Sequence, residues 1–277
     1  MKVGMLTAPF GREPLETVLD FAEETGIPCL EVIAHPGSNH IDPAKLSARR
    51  VSQIRAALED RCLEISSLAY YTGEITKADR LKYVQAHAKK CIDAASALGV
   101  SVVCMLSGYP AEGMSKIETI KKVLPKAFAP ILAYARKKKI NIALENWYQT
   151  NLQGLDTFEC MFEAIRDKNF GLNYDPSHLY HQQIDHLLPV SMFGNRIFHT
   201  HAKDTLVIEA KRAKVGIYGG GWWRYVIPGF GNINWGEYIS HLRMNGYNGV
   251  LSLEHEDGSQ TREEGLRRGA WYLEQFC

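Results

Sequence analysis

Short apolar runs alternate with segments of helical periodicity along the whole chain. "KVGMLT" is followed by "PLETVLDFAEETG", whose apolar residues recur at helical spacing and whose glycine suits a C-terminal cap. "CLEVIA" leads into "DPAKLSARRVSQIRAALED". "CLEISSLAYY" leads into a helix predicted around residues 77–98, and "VSVVCML" into another that ends in "YARKKK". "INIALEN", "FGLNYD", "RIFHTHAKD" and "GVLSLEHED" follow, each with a helical segment behind it, and "REEGLRRGAWYLEQF" closes the chain. Eight strand–helix units without a Gly/Ser linker predict one α/β domain over residues 1–277, a closed (β/α)8 TIM barrel. The rival, a doubly wound open sheet, should carry a GxGxxG fingerprint at its first turn, and "LTAPFGREP" has none. "GIYGGGWW" is rich in glycine but precedes no obvious helix, so it reads as a loop.

In a barrel, residues two apart on a strand share a face, and active sites gather at the strands' C-terminal ends. On the fifth strand this puts Ile142 and Leu144 toward the helices, with Asn141, Ala143 and Glu145 inside. On the sixth, Leu172 and Tyr174 face out while Gly171, Asn173 and Asp175 face in. On the seventh, Phe198 and Thr200 face out while His199, His201 and Lys203 face in. On the eighth, Leu251 and Leu253 face out, with Ser252, Glu254 and Glu256 inside. Each strand therefore ends in one inward metal-capable side chain: Glu145, Asp175, His201 and Glu254. Three carboxylates and an imidazole converging in a dry site would be costly without a partner. A divalent cation is the simplest one, and oxygen-rich ligation with one histidine suits Mn²⁺ or Mg²⁺, with Zn²⁺, Co²⁺ or Fe²⁺ as alternatives.

Composition narrows the picture further. Lys plus Arg number 32 against 31 Asp plus Glu, a formal charge of +1, which gives no electrostatic footprint for nucleic acid or an anionic membrane. The six cysteines are scattered without a CxxC pair, as expected for reduced thiols in the cytoplasm. The N-terminus lacks a signal-peptide pattern, and no stretch reaches the ~18 apolar residues of a membrane span.

"ALEN", "NYDPSH", "HTHAKD" and "LSLEHED" at the ends of strands five to eight resemble the xylose isomerase-like sugar isomerase/epimerase family. The resemblance covers essentially the whole chain. It implies one divalent metal held by Glu145, Asp175, His201 and Glu254, and a small carbohydrate or polyol ketone as substrate. Glu145 and Glu254 would be the acid/base pair, taking an α-proton and returning it through a metal-stabilised enediolate. Return to the same carbon epimerises it, return to the neighbour moves the carbonyl, and loss of a β-oxygen is a lyase outcome. The family's ketose 3-epimerases carry an acid and an arginine after the seventh-strand histidine. "HAKD" is closer to the inosose-processing and dehydratase branches, which raises the lyase alternative. A homo-oligomer is usual for such enzymes.

Around this centre His178, Lys203, Glu31, His40 and Tyr70 are expected to contact substrate, with Tyr71 beside Tyr70 as a further pocket candidate. Glu31 resembles the family's acid on strand two. His199 and Glu256 are expected to support the ligands from behind. The loop "GGGWWRYVIPGFGNINW", with Trp222, Trp223 and Arg224, suits a lid whose Trp223 stacks on a sugar ring. Apurinic-site endonucleases share the barrel but hold three metals, and the third and fourth strands here lack the histidines they need. A non-catalytic sugar-binding barrel would show a lost metal ligand, and none is lost.

Overall fold

The computed structural model describes residues 1–277. Its strands are β1 (Lys2–Leu6), β2 (Cys29–Ile33), β3 (Glu64–Tyr70), β4 (Val102–Leu106), β5 (Asn141–Glu145), β6 (Phe170–Tyr174), β7 (Ile197–Ala202), β8 (Asp204–Val207), β9 (Trp223–Val226) and β10 (Val250–Leu253). Eight of them close a parallel barrel in the order β1-β10-β7-β6-β5-β4-β3-β2, so β10 is the eighth barrel strand. The other two, β8 and β9, pair antiparallel as a separate ribbon inserted between the seventh and eighth barrel strands. Helices follow the barrel strands and pack on the outer face. The first, Leu15–Thr25, ends where Gly26 takes φ 72°, a left-handed conformation that costs glycine no Cβ clash. No helix is long and apolar enough to cross a membrane.

The outward residues expected on β5, β6 and β10 are buried between barrel and helices: Ile142, Leu144, Leu172, Tyr174, Leu251 and Leu253 join Phe128, Ile131 and Phe158 in the main core. The barrel floor is a smaller set, Val102, Cys104 and Ala143, with Tyr71 and Phe198 against it. Phe198 thus corrects the expectation that it faces the helices. The pairing of β6 with β7 slips between Leu172 and Asn173, so one extra residue on β7 turns both Phe198 and His199 inward. The slot it fills is left by Gly171, where a Cβ would meet the Arg196 carbonyl oxygen at 2.1 Å and the Phe198 ring at 2.6 Å.

A matching slip lies between Leu30 and Glu31 in the β2–β3 pairing. Ile65 packs outward, the inserted Ser66 points in, and the alternation beyond it is reversed. Tyr71 consequently enters the barrel and Tyr70 does not. The two bulges meet across the floor, where Ser66 Oγ lies 3.0 Å from His199 Nε2.

Candidate metal centre

Glu145 ends β5, Asp175 follows β6, His201 is the penultimate residue of β7 and Glu254 follows β10. Parallel strands of one barrel carry these four to the same end, where one donor atom from each lies within 4.8 Å of all the others. His201 Nδ1 is 3.1 Å from Glu254 Oε2, 3.3 Å from Glu145 Oε1 and 3.9 Å from Asp175 Oδ2. Donors held at about 2.1 Å by one ion are roughly 3 Å apart at right angles, so the spacing suits shared ligation. Asp175 is set by its backbone: its N–H donates to Asn146 Oδ1 at 2.9 Å, and its carbonyl accepts from Asn146 Nδ2 at 2.8 Å. Its Oδ1 accepts the Ser177 N–H at 2.8 Å, which leaves Oδ2 facing the Lys203 ammonium at 3.2 Å. Asp175 Oδ2 and His201 Nδ1 are both buried without a hydrogen-bond partner. Two buried atoms of complementary ligand type that make no hydrogen bond and face one point fit a cation.

The charges point the same way. Burial, then the neighbouring Glu254 charge, raises the Glu145 carboxyl to about 7. Burial also works against Glu254, but the Lys203 ammonium and His201 hold it well below the usual carboxylate range. Burial opposes protonation of His201, yet Glu31, Glu254 and Glu145 together raise it well above its ordinary value. Protons on His201 and Glu145 stand where a cation would supply the positive charge.

Beside these ligands opens a cavity of about 380 Å³. Glu145, Glu254, Glu256 and His178 form its polar side, and Tyr71, Leu106, Trp147, Tyr148 and Tyr225 its apolar walls. No arginine or lysine lines it. A wider cleft of about 550 Å³ near Tyr180, His186 and Arg212 gathers no such ligand set.

The family described as xylose isomerase-like TIM barrel matches residues 19–276. The chain belongs to that family. YfiH of Bacillus subtilis (strain 168) is 27% identical over 310 aligned positions, covering 99% of each chain. An inosose dehydratase of Clostridium perfringens is 24% identical over 252 residues, 84% of this chain and 83% of the relative. Among solved structures, the IOLI protein with a binding zinc atom superposes with a TM-score of 0.77 at 17% identity, over 100% of this chain and 99% of that one.

Within this xylose isomerase-like barrel the other residues expected around the centre divide into two groups. His178 stands in the cavity wall, with Nε2 3.3 Å from Glu145 Oε1 and Nδ1 2.7 Å from the Tyr225 hydroxyl. Lys203 lies beneath it, 2.6 Å from Glu254 Oε2, and Glu256 reaches within 3.4 Å of the same ammonium. His199 is buried below the ligands, between Asn173 Oδ1 at 2.9 Å and Ser66 Oγ at 3.0 Å.

Four expectations of substrate contact are corrected. Tyr70 is turned outward by the β3 bulge and packs on His87, ring centroids 4.5 Å apart. His40 has both ring nitrogens engaged, by Thr7 Oγ1 and the Phe10 carbonyl, each at 2.9 Å. Glu31 is wholly buried beneath His201, Tyr71 and Ser252 and lines no part of the cavity. Trp223 belongs to the ribbon and stacks on His181 at 3.9 Å, one layer behind Tyr225, while Trp222 is buried. Arg224 bonds Asp257 Oδ1 at 2.7 Å, and Asp204 accepts the N–H groups of Gly229, Gly231 and Ile233, so the segment is pinned to the barrel. Sequence reading missed Trp147, Tyr148 and Tyr225 as wall residues. The first two directly follow the strand-end acid in "ENWY", and Tyr225 shares a ribbon face with Trp223.

Proposed function

We propose that this chain, as one barrel domain over residues 1–277, is a divalent-metal-dependent enzyme of isomerase or epimerase type. It would move a proton at a carbon beside the carbonyl of a neutral keto-sugar or keto-polyol. The observation that carries this reading is the convergence of Glu145 and Glu254 on one orphaned imidazole nitrogen at the edge of an aromatic-walled cavity. Glu145, Asp175, His201 and Glu254 would hold the ion, and three carboxylates favour Mn²⁺ or Mg²⁺ over softer metals. When bound, the ion supplies Lewis acidity that makes the carbon next to a ketone more acidic.

The chain's own residues move the proton. Lys203, 2.6 Å from Glu254, keeps that carboxylate ionised, the form a base requires. Glu145 faces the same point from another strand and would be the partner that returns the proton. The two arrive from strands on either side of the β6–β7 pair, which supports removal from one direction and return from another. Trp147, Tyr148 and Tyr225 offer flat apolar faces to a sugar ring, and three acidic side chains with no lining cation disfavour a phosphorylated or carboxylated one.

The His178–Tyr225 pair favours a second reading, a lyase. Burial and then the Lys203 charge keep the His178 imidazole neutral. It would act as a relay, passing its Nε2 proton to a departing β-oxygen as Nδ1 takes the Tyr225 hydroxyl proton. A dehydratase name among the relatives agrees with this.

Proton NMR in D2O with Mg²⁺-loaded protein tests both. The panel comprises free ketoses, inososes and 3-keto-glycosides, with EDTA and Glu254→Gln controls. Metal-dependent deuterium uptake beside a carbonyl supports proton transfer, and the product separates isomerase from lyase. No exchange with any of these compounds, despite a tightly bound ion, would overturn the reading.

A further inference from the structure

On the reading that Glu145, Asp175, His201 and Glu254 hold a cation, we propose that Glu31 is a positioning residue whose carboxylate keeps the His201 proton on Nε2, so that Nδ1 is presented to the ion. Nothing in the local pattern of the chain joins the two residues, which lie 170 positions apart. They meet on the barrel axis, Glu31 from β2 and His201 from β7.

A neutral imidazole has one N–H and one lone pair, and whichever neighbour accepts the N–H chooses the ligand atom. His201 Nδ1 faces the carboxylates and has no hydrogen-bond partner. Three groups crowd Nε2: Glu31 Oε2 at 3.0 Å, Tyr71 OH at 3.1 Å and Asn173 Nδ2 at 3.0 Å. Neither of the last two is a charged acceptor: Asn173 Nδ2 only donates, and the Tyr71 oxygen already accepts one of that amide's two N–H groups. Tyr71 has a single proton and donates it to Glu31 Oε1. Asn173 Nδ2 donates to Tyr71 OH at 2.8 Å, and its Oδ1 faces His199 Nδ1 at 2.9 Å. Glu31 remains as the acceptor for His201, and it is the charged one. Ser252 Oγ donates to the same Oε2 at 2.8 Å, which fixes the carboxylate in place.

Two other roles for Glu31 are excluded by geometry. Tyr71 and His201 lie between it and the cavity, so substrate does not reach it. Glu31, Cys104 and His199 also cluster within 4.8 Å, but both His199 nitrogens are engaged, by Ser66 Oγ and Asn173 Oδ1, so its imidazole offers no free ligand atom to a second ion. A buried acceptor behind a ligating histidine fixes its tautomer and ring plane and raises its basicity. Losing such a partner typically weakens metal binding by about 10- to 100-fold.

The test titrates metal-free wild type and Glu31→Gln with Mn²⁺ at neutral pH, following the free ion by EPR. It also records long-range ¹H–¹⁵N spectra of the zinc-loaded wild type. Glu31→Gln is expected to bind Mn²⁺ about 10- to 100-fold more weakly with its circular dichroism unchanged. The His201 ring of the wild type is expected to carry its proton on Nε2. A loss below about tenfold, or a proton found on Nδ1, overturns the role given to Glu31. The spectrum needs no variant, so it decides the matter even if Glu31→Gln fails to fold. If wild type itself takes up no ion, the cation reading falls first; if wild type binds and the variant binds equally, only Glu31 loses its role.

Discussion

The Lys203 ammonium is almost wholly buried, yet it lies 2.6 Å from Glu254 Oε2, 3.2 Å from Asp175 Oδ2 and 3.4 Å from Glu256 Oε1. Burial alone would favour the neutral amine. The carboxylates of Glu254, Asp175 and Glu256 overturn that and hold the group charged, well above its ordinary range. Lys203 and His201 are then the positive charges that offset the ligand carboxylates while no cation is bound. Removing one partner from such a buried cluster typically costs about 3–5 kcal/mol, because the carboxylates left behind are uncompensated. A bound cation adds two positive charges at the same place. Lys203→Met is therefore expected to lose that much stability in EDTA and distinctly less in saturating Mg²⁺, read from paired urea unfolding curves. Equal losses under both conditions would show that Lys203 does not serve as the countercharge.

At the scale of the strand, alternation alone reads β5, β6 and β10 correctly, because a parallel barrel buries both faces and leaves parity as the signal. It fails where a strand carries an extra residue. Tyr70 and Tyr71 exchange faces after Ser66, and Phe198 turns inward beside His199, since a bulge shifts parity without marking the sequence. His40, Glu31 and Trp223 were misread for a related reason: their partners, Phe10, His201 and His181, are distant in the chain. The floor under β7 is a tight test of the bulge. Gly171→Ala would place a methyl 2.1 Å from the Arg196 carbonyl and 2.6 Å from the Phe198 ring, so the strand must move. A loss of about 1–3 kcal/mol is expected in chemical denaturation, and Gly171→Ala combined with Phe198→Leu should not recover it, because the backbone oxygen remains. The ribbon depends on Asp204, whose carboxylate accepts from the backbone N–H groups of Thr205, Gly229, Gly231 and Ile233 and from Trp235 Nε1. Asp204→Ala strands several buried donors and is expected to cost about 3 kcal/mol or more. Faster amide exchange at Gly229, Gly231 and Ile233 than elsewhere in the variant would locate the damage, and uniform protection would refute the anchoring role.

Across the whole molecule, the four residues that would hold the cation come from β5, from β7 and from the loops just after β6 and β10, neighbouring barrel strands spread over residues 145–254 of the chain. A cation held there ties together the half of the barrel that closes onto β1. An ion that binds only the folded chain at about 100 times its dissociation constant adds about 2.7 kcal/mol, which for a domain of this size is about 5–10 °C in Tm. The sign of its pH dependence follows from the metal-free site. Glu145 has its folded pKa raised to about 7, so its contribution favours folding below the unfolded carboxylate value and is lost as pH climbs through 7. His201, also raised, has the same sign. The cation needs both groups deprotonated on the ligand atoms, so its uptake releases protons and strengthens as pH rises. Metal-free protein should thus weaken over the interval in which metal binding improves, and the Mg²⁺-induced rise in Tm is expected to be larger above pH 7 than below it. Calorimetric scans with EDTA and with Mg²⁺ on both sides of pH 7 measure that difference. An increment that stays constant with pH would mean that the ion and these protons do not compete for the same atoms.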